Sequence, residues 1–118
     1  MPRGRGKGFR GKGWLMNAYI LLIIAEEPSH GYKISEKLLD YGVDLPGLSN
    51  KGRIYRFLSE LETNDLVEFD WDTTSSPPKK IYKITSLGEK YLEQIKKEMS
   101  DLKNNIDKFI DKMDDLYG

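Results

Sequence analysis

Between Leu92 and Leu116 the apolar residues Leu92, Ile95, Met99, Leu102, Ile106, Phe109, Met113 and Leu116 follow one another in steps that alternate three and four. A rhythm of that kind, held over more than three repeats, is the mark of a coiled-coil seam on a single helix. It predicts one helix from about Ser86 to Tyr117, with Thr85 as its N-cap. At the usual rise, about 30 helical residues extend roughly 45 Å. A chain of 118 residues folds into a globule too small to cover a helix of that length. The seam therefore requires a partner helix, most simply its own copy across a two-fold axis.

Upstream, the periodicity changes several times. Residues 1–13 hold Arg3, Arg5, Lys7, Arg10 and Lys12 among five glycines with no acid, and are expected to be a disordered basic tail. A first helix is expected from Trp14 to Ala25, ended by Pro28. Ser29 reads as the N-cap of a second helix from His30 to about Tyr41, with Ile34, Leu38 and Tyr41 on one apolar face. Gly42, Pro46 and Gly47 mark a loop. Asn50 then reads as the cap of a third helix reaching about Asn64, whose Ile54, Phe57, Leu58 and Leu61 face a core. From Val67 the pattern alternates, with Val67, Phe69 and Trp71 against Glu68, Asp70 and Asp72. A Ser/Pro turn follows, and K-K-I-Y-K-I-T alternates again, so residues 67–85 read as an antiparallel hairpin with Lys79 and Lys80 at its tip.

Several classes of function drop out early. The chain has no cysteine and a single histidine, His30, which removes disulfides, thiolate metal sites, cysteine nucleophiles and histidine-rich metal centres. With no phosphate loop and no nucleophile–base pairing, we expect neither an enzyme nor a cofactor. The longest apolar run, from Trp14 to Ala25, is shorter than the roughly 20 residues of a membrane span. It is followed by Glu26, Glu27 and Pro28 in place of a cleavage site, so no membrane association and a cytoplasmic location are expected. Basic and acidic residues number 19 each, so any attraction to a polyanion must come from a localised face.

One such face stands out. In N-K-G-R-I-Y-R-F-L (residues 50–58), Lys51, Arg53 and Arg56 occupy the opening turns of the third helix, where the positive end of the macrodipole disfavours cations. Ile54, Phe57 and Leu61 turn inward, so the cations lie outward, either as an ordinary solvated face or as a surface awaiting an external anion. The order helix, helix, helix, hairpin is that of a winged helix-turn-helix, in which the third helix enters the major groove.

Three segments in register also resemble the PadR family of transcriptional regulators. I-L-L-I-I-A-E-E-P-S-H-G-Y-K-I (20–34) is similar to that family's apolar first helix and P-x-H-G-Y signature. N-K-G-R-I-Y-R-F-L-S-E-L-E-T-N-D-L-V (50–67) resembles its S-P-G-T-L-Y-x-x-L-x-x-L-E-x-x-G-L-V, and P-P-K-K-I-Y-K-I-T-S-L-G (77–88) its P-x-R-K-Y-Y-x-L-T-x-x-G. The chain departs from the pattern at Lys51 for Pro, at Arg53 for Thr, and at Asn64-Asp65 for Glu-Gly.

The resemblance implies an α+β, mostly α fold: a winged helix DNA-binding domain at 14–85 and a C-terminal coiled-coil dimerisation helix at 86–118. It further implies a homodimeric, repressor-type regulator that binds a pseudo-palindrome in double-stranded DNA, with helix 50–64 in the major groove and hairpin 67–85 as wing. Expected DNA contacts are Tyr32 at the start of the second helix, Asn50, Lys51, Arg53, Tyr55 and Arg56 on the third, and Lys79 and Lys80 on the wing. The tail P-R-G-R-G-K resembles the P-R-G-R-P core of AT-hook peptides, which adds Arg3 and Arg5 as minor-groove contacts; a tail giving only non-specific affinity fits equally well. Trp14, Trp71 and Phe109 could line a pocket for a small aromatic effector at the dimer interface, or simply be core and seam. The alternative from another class is a coiled-coil interaction module whose winged helix binds a protein.

Overall fold

The computed structural model describes residues 13–43 and 51–118. Helices α1 (Trp14–Glu26), α2 (Gly31–Asp40) and α3 (Lys51–Thr63) are followed by strands β1 (Val67–Asp72) and β2 (Lys79–Ile84), and by the long helix α4 (Ser86–Tyr117). The fold class expected from the sequence is the one observed. The expected tail, with Arg3 and Arg5, and the expected cap Asn50 lie outside the described residues, as does the side chain of Lys51.

The core sits where the three short helices meet the base of the hairpin. Ile20, Leu21, Ile23 and Ile24 of α1, Ile34 and Leu38 of α2, and Ile54, Leu58 and Leu61 of α3 are all buried in one cluster with Val67 and Tyr82. Full burial of such side chains stabilises by about 1.5–3 kcal/mol each. Tyr41, expected on the same face as Ile34 and Leu38, instead caps α2 at the edge and tilts its ring against Tyr19, 5.6 Å between centroids.

Two helix ends use the same device. After α2, Gly42 takes a left-handed φ of 76° and its N–H donates to Leu39 O, while Val43 N–H donates to Leu38 O. After α3, Asp65 takes a φ of 62°, its N–H donates to Glu62 O, and Leu66 N–H donates to Leu61 O. Both are Schellman closures, which normally place glycine at the left-handed position. In α3 this chain has Asp65 there.

Ser29 is not the cap of α2, as the sequence suggests; the cap position belongs to His30. The Ser29 hydroxyl donates to Glu27 O, and its backbone pairs with Tyr82 of β2 through Ser29 N–H to Tyr82 O (3.1 Å) and Tyr82 N–H to Ser29 O (2.9 Å). Ser29 thus acts as a one-residue third strand. Hairpin strands β1 and β2 pair antiparallel, Val67 opposite Ile84 through Asp72 opposite Lys79. Lys79 and Lys80 are therefore the first two residues of β2, one step in from the 73–78 turn and not at the tip itself.

Thr85 caps α4 as expected, its side chain accepting from Gly88 N–H at 3.0 Å while its hydroxyl donates to Asp65 O at 2.7 Å. A Cβ at Gly88 would run into Leu66 O and Ile84, so the start of α4 lies hard against the end of the winged domain. The seam divides at this point. Ile95 is buried, Leu92 packs against the core and Met99 is half-buried, whereas Leu102, Ile106, Phe109, Met113 and Leu116 are exposed. Ile110 and Tyr117 widen the bare stripe beyond the heptad positions.

Candidate nucleic-acid interface

Inward rotation of Ile54, Leu58 and Leu61 leaves Arg53, Tyr55 and Arg56 on the open side of α3, all exposed. Among the described residues, no ion pair engages either arginine. Two guanidinium groups without a carboxylate, on an otherwise charge-balanced protein, leave their donors open to an external acceptor. Guanidinium forks match phosphate oxygens and the guanine edge in the major groove.

Beside α3 the surface dips into an open cleft of about 680 Å³ between that helix, the start of α2 and the hairpin. Tyr32, Tyr55, Trp71 and Lys79 line it, together with Glu62 and Lys80. Tyr55 is seated by close approach to Gly31: a Cβ built there would lie 2.6 Å from Tyr55 Cε1. The glycine of the H-G-Y stretch thus makes room for a ring 24 positions away in the chain, a dependence that the sequence gives no hint of. Tyr32 points into the same cleft with 61% of its surface exposed, and a hydrogen bond with Glu36 raises its phenol pKa.

The hairpin is tied to the helices by contacts that sequence reading missed. His30 Nε2 lies 3.0 Å from Asp72 Oδ2, joining the cap of α2 to the end of β1. Hydrogen bonds from the Thr74 hydroxyl and N–H, with His30 beside them, hold the Asp72 carboxyl below its ordinary pKa. Lys80 Nζ sits 4.0 Å from the Phe69 ring centroid and 3.8 Å from Glu62 Oε1, so its charge is drawn back toward α3, while Lys79 stays exposed. These pairings depend on the hairpin register, which a loosely specified Ser/Pro turn does not reveal.

The residues expected to contact DNA are thus grouped as far as they are described: Tyr32, Arg53, Tyr55, Arg56, Lys79 and Lys80 all belong to α3 and the elements facing it. Of the three aromatic residues expected to line an effector pocket at the dimer interface, Trp71 lines this cleft within the protomer. Among the described residues, no cluster of three His, Asp or Glu side chains is placed to hold a metal ion, and no helix is long and apolar enough to cross a membrane.

Three helices with an exposed cationic third, a hairpin anchored to the second, and a cleft between them define a winged helix module built for a nucleic-acid duplex. The profile described as the transcriptional regulator PadR-like family matches residues 20–94. The chain belongs to that family of DNA-binding transcription regulators, whose members are not enzymes. A crystal structure of a conserved protein of unknown function, described as a potential transcriptional factor, is 42% identical with a TM-score of 0.79, covering 91% of this chain and 95% of that one. A PadR-like transcriptional regulator from Bacillus cereus is 28% identical with a TM-score of 0.71, covering 81% and 91%. An uncharacterized protein of Lysinibacillus sphaericus is 29% identical over 97 residues, 81% of this chain and 88% of the relative.

Proposed function

We propose that this protein is a homodimeric repressor that reads a pseudo-palindromic operator in double-stranded DNA. The observation that carries the reading is the pair Arg53 and Arg56, exposed on α3 without an acidic partner among the described residues and flanked by Tyr55. In this reading α3 lies in the major groove with Arg53 and Arg56 at base edges or phosphates. Lys51 and Asn50 serve the same helix start, where free N–H groups favour a phosphate. Tyr32 and Tyr55 meet the backbone, and Lys79 and Lys80 contribute from the wing. The tail arginines Arg3 and Arg5 add minor-groove affinity.

The exposed stripe from Leu102 to Leu116 supports the dimer, because a row of bare apolar side chains at heptad spacing is unstable in water without a second helix against it. Leu15 and Leu22, seven apart on α1, are exposed as well. Two α3 helices held by such a dimer fit half-sites about one helical turn apart.

The test is a mobility-shift titration with the DNA upstream of the protein's own coding sequence, repeated over a range of salt. Binding should weaken steeply as salt rises. Arg53→Ala and Arg56→Ala should each weaken specific binding by roughly 1–3 kcal/mol. Unchanged binding by both variants at every salt concentration would remove α3 from the reading role.

A further inference from the structure

The cleft holds one large side chain that the DNA reading above leaves unused. Alternation along β1 puts Trp71 on the same face as Val67 and Phe69, the face that looks toward the helices. Val67 is buried and Phe69 half-buried, but Trp71 lies where the hairpin overhangs the domain and is 57% exposed. Its indole is held in place from two sides. Phe69 meets it edge-on at 5.6 Å, and Lys80, its partner across the hairpin, brings Nζ to 6.0 Å from the ring. Among the described residues, no hydrogen bond engages its Nε1–H. Across the cleft stand Tyr32 and Tyr55, 61% and 47% exposed, from two other elements.

A single exposed aromatic residue needs no explanation. Three of them from three elements, facing one cleft, form a surface with flat apolar faces and a free indole N–H, with exposed Lys79 and the Lys80–Glu62 pair at its rim. A sugar–phosphate strand has the matching chemistry: apolar deoxyribose faces strung between anionic phosphates. With α3 in the major groove and the hairpin along the backbone, the strand between the two grooves passes over this surface.

Resting on the DNA-binding reading, we infer that Trp71 is a direct contact of the wing to one DNA strand, its ring face against a deoxyribose and its Nε1–H donated to the neighbouring phosphate. Trp71 thereby acts on affinity for the backbone without reading bases, since sugar and phosphate contacts carry no sequence information directly.

Two duplexes test this: one with the DNA upstream of the protein's own coding sequence, and one of random sequence and equal length at low salt. The chain has two tryptophans, so Trp14→Phe leaves Trp71 as the sole reporter. Its emission should change on adding either duplex, and it should become shielded from acrylamide at saturation. Trp71→Ala should bind both duplexes roughly fivefold or more weakly, the scale of losing a hydrogen bond to a charged phosphate. Trp71→Phe, which keeps a ring but not the N–H, should recover only part of that loss. The slope of log affinity against log salt should be unchanged in Trp71→Ala, because no charge is removed, whereas Lys79→Ala, which removes one cation from each protomer of the dimer, should reduce it by about 1.8.

A purely structural role would lower the melting temperature of Trp71→Ala and leave the emission silent. Undiminished binding by that variant, or a Trp71 that stays fully open to quencher in the complex, overturns the contact while leaving α3 as the reading element. Absence of any duplex binding by the unaltered protein would instead remove both readings.

Discussion

Asp65 occupies a backbone position that suits glycine, and the structure shows what that costs. Its φ of 62° is left-handed, where a side chain beyond glycine is disfavoured, less so for Asp than for most. Its N–H and C=O are both engaged, the carbonyl accepting from Thr85, so the turn cannot relax without loosening the start of α4. Asp65→Gly keeps every one of those bonds and removes left-handed strain of about 1 kcal/mol against a partly offsetting entropic cost of glycine, so stability in urea unfolding should rise by a few tenths of a kcal/mol. The departure from the family's glycine was visible in the sequence; that it sits in a Schellman closure was not, because the partner carbonyls at Leu61 and Glu62 are identified only by geometry. Gly31 behaves in the opposite sense. Gly31→Ala would push the Tyr55 ring out of its seat, and we expect weaker duplex binding in a fluorescence anisotropy titration with little change in melting temperature, since Tyr55 is exposed and its ring is free to swing outward.

At the scale of elements, helix and strand limits were legible to within a residue or two, because α2, α3, the strands and α4 carry the period of the face they bury, while α1, apolar on nearly every side, is bounded by Glu26, Glu27 and Pro28. What failed was Ser29. As a hydroxyl just ahead of an apolar helix it has the form of a cap, yet Tyr82 captures its backbone and the cap position passes to His30. Tertiary pairing between residues 53 positions apart leaves no trace in local pattern. The turn of the hairpin yields an acid-sensitive wing, because the Thr74 hydroxyl and N–H, and after them His30, favour the Asp72 carboxylate. Because the folded-state pKa of Asp72 is depressed below its ordinary 3.8, the ionised carboxylate stabilises the fold at every pH above that value. The contribution is lost as pH falls through the depressed value. Asp72→Asn should therefore unfold more readily than the unaltered protein from neutral pH down to the ordinary carboxylate range, and the two should converge in stronger acid. Chemical denaturation at a series of pH values checks this; a gap that persists undiminished in strong acid would show that the carboxylate's charge is not responsible.

For the whole molecule, the heptad rhythm was legible as one uninterrupted signal, but it runs unchanged across a physical boundary. Ile95 and Leu92 spend their apolar surface inside their own protomer, against the winged domain, and only from Leu102 onward is the stripe bare. A rhythm of threes and fours reports that a face is apolar without saying whose core it joins, and it passes over Ile110 and Tyr117 because they lie off the strict seam. Substitutions on either side of the boundary should consequently separate folding from assembly. Ile95→Ala opens a cavity in a buried site and should cost about 2–5 kcal/mol of stability. Phe109→Glu, on a side chain 66% exposed in the protomer, should leave the winged domain folded and place a charge in the proposed dimer seam. Sedimentation equilibrium should then show the unaltered chain as a dimer and Phe109→Glu as a monomer, with the melting temperature of the former alone rising with protein concentration. Two α3 helices joined by the dimer bind adjacent half-sites as one event, so the monomeric variant should also lose on the order of 100-fold or more in operator affinity while each half-site contact stays intact. A monomer that retained full operator affinity would mean that the seam serves some end other than placing two reading helices on one operator.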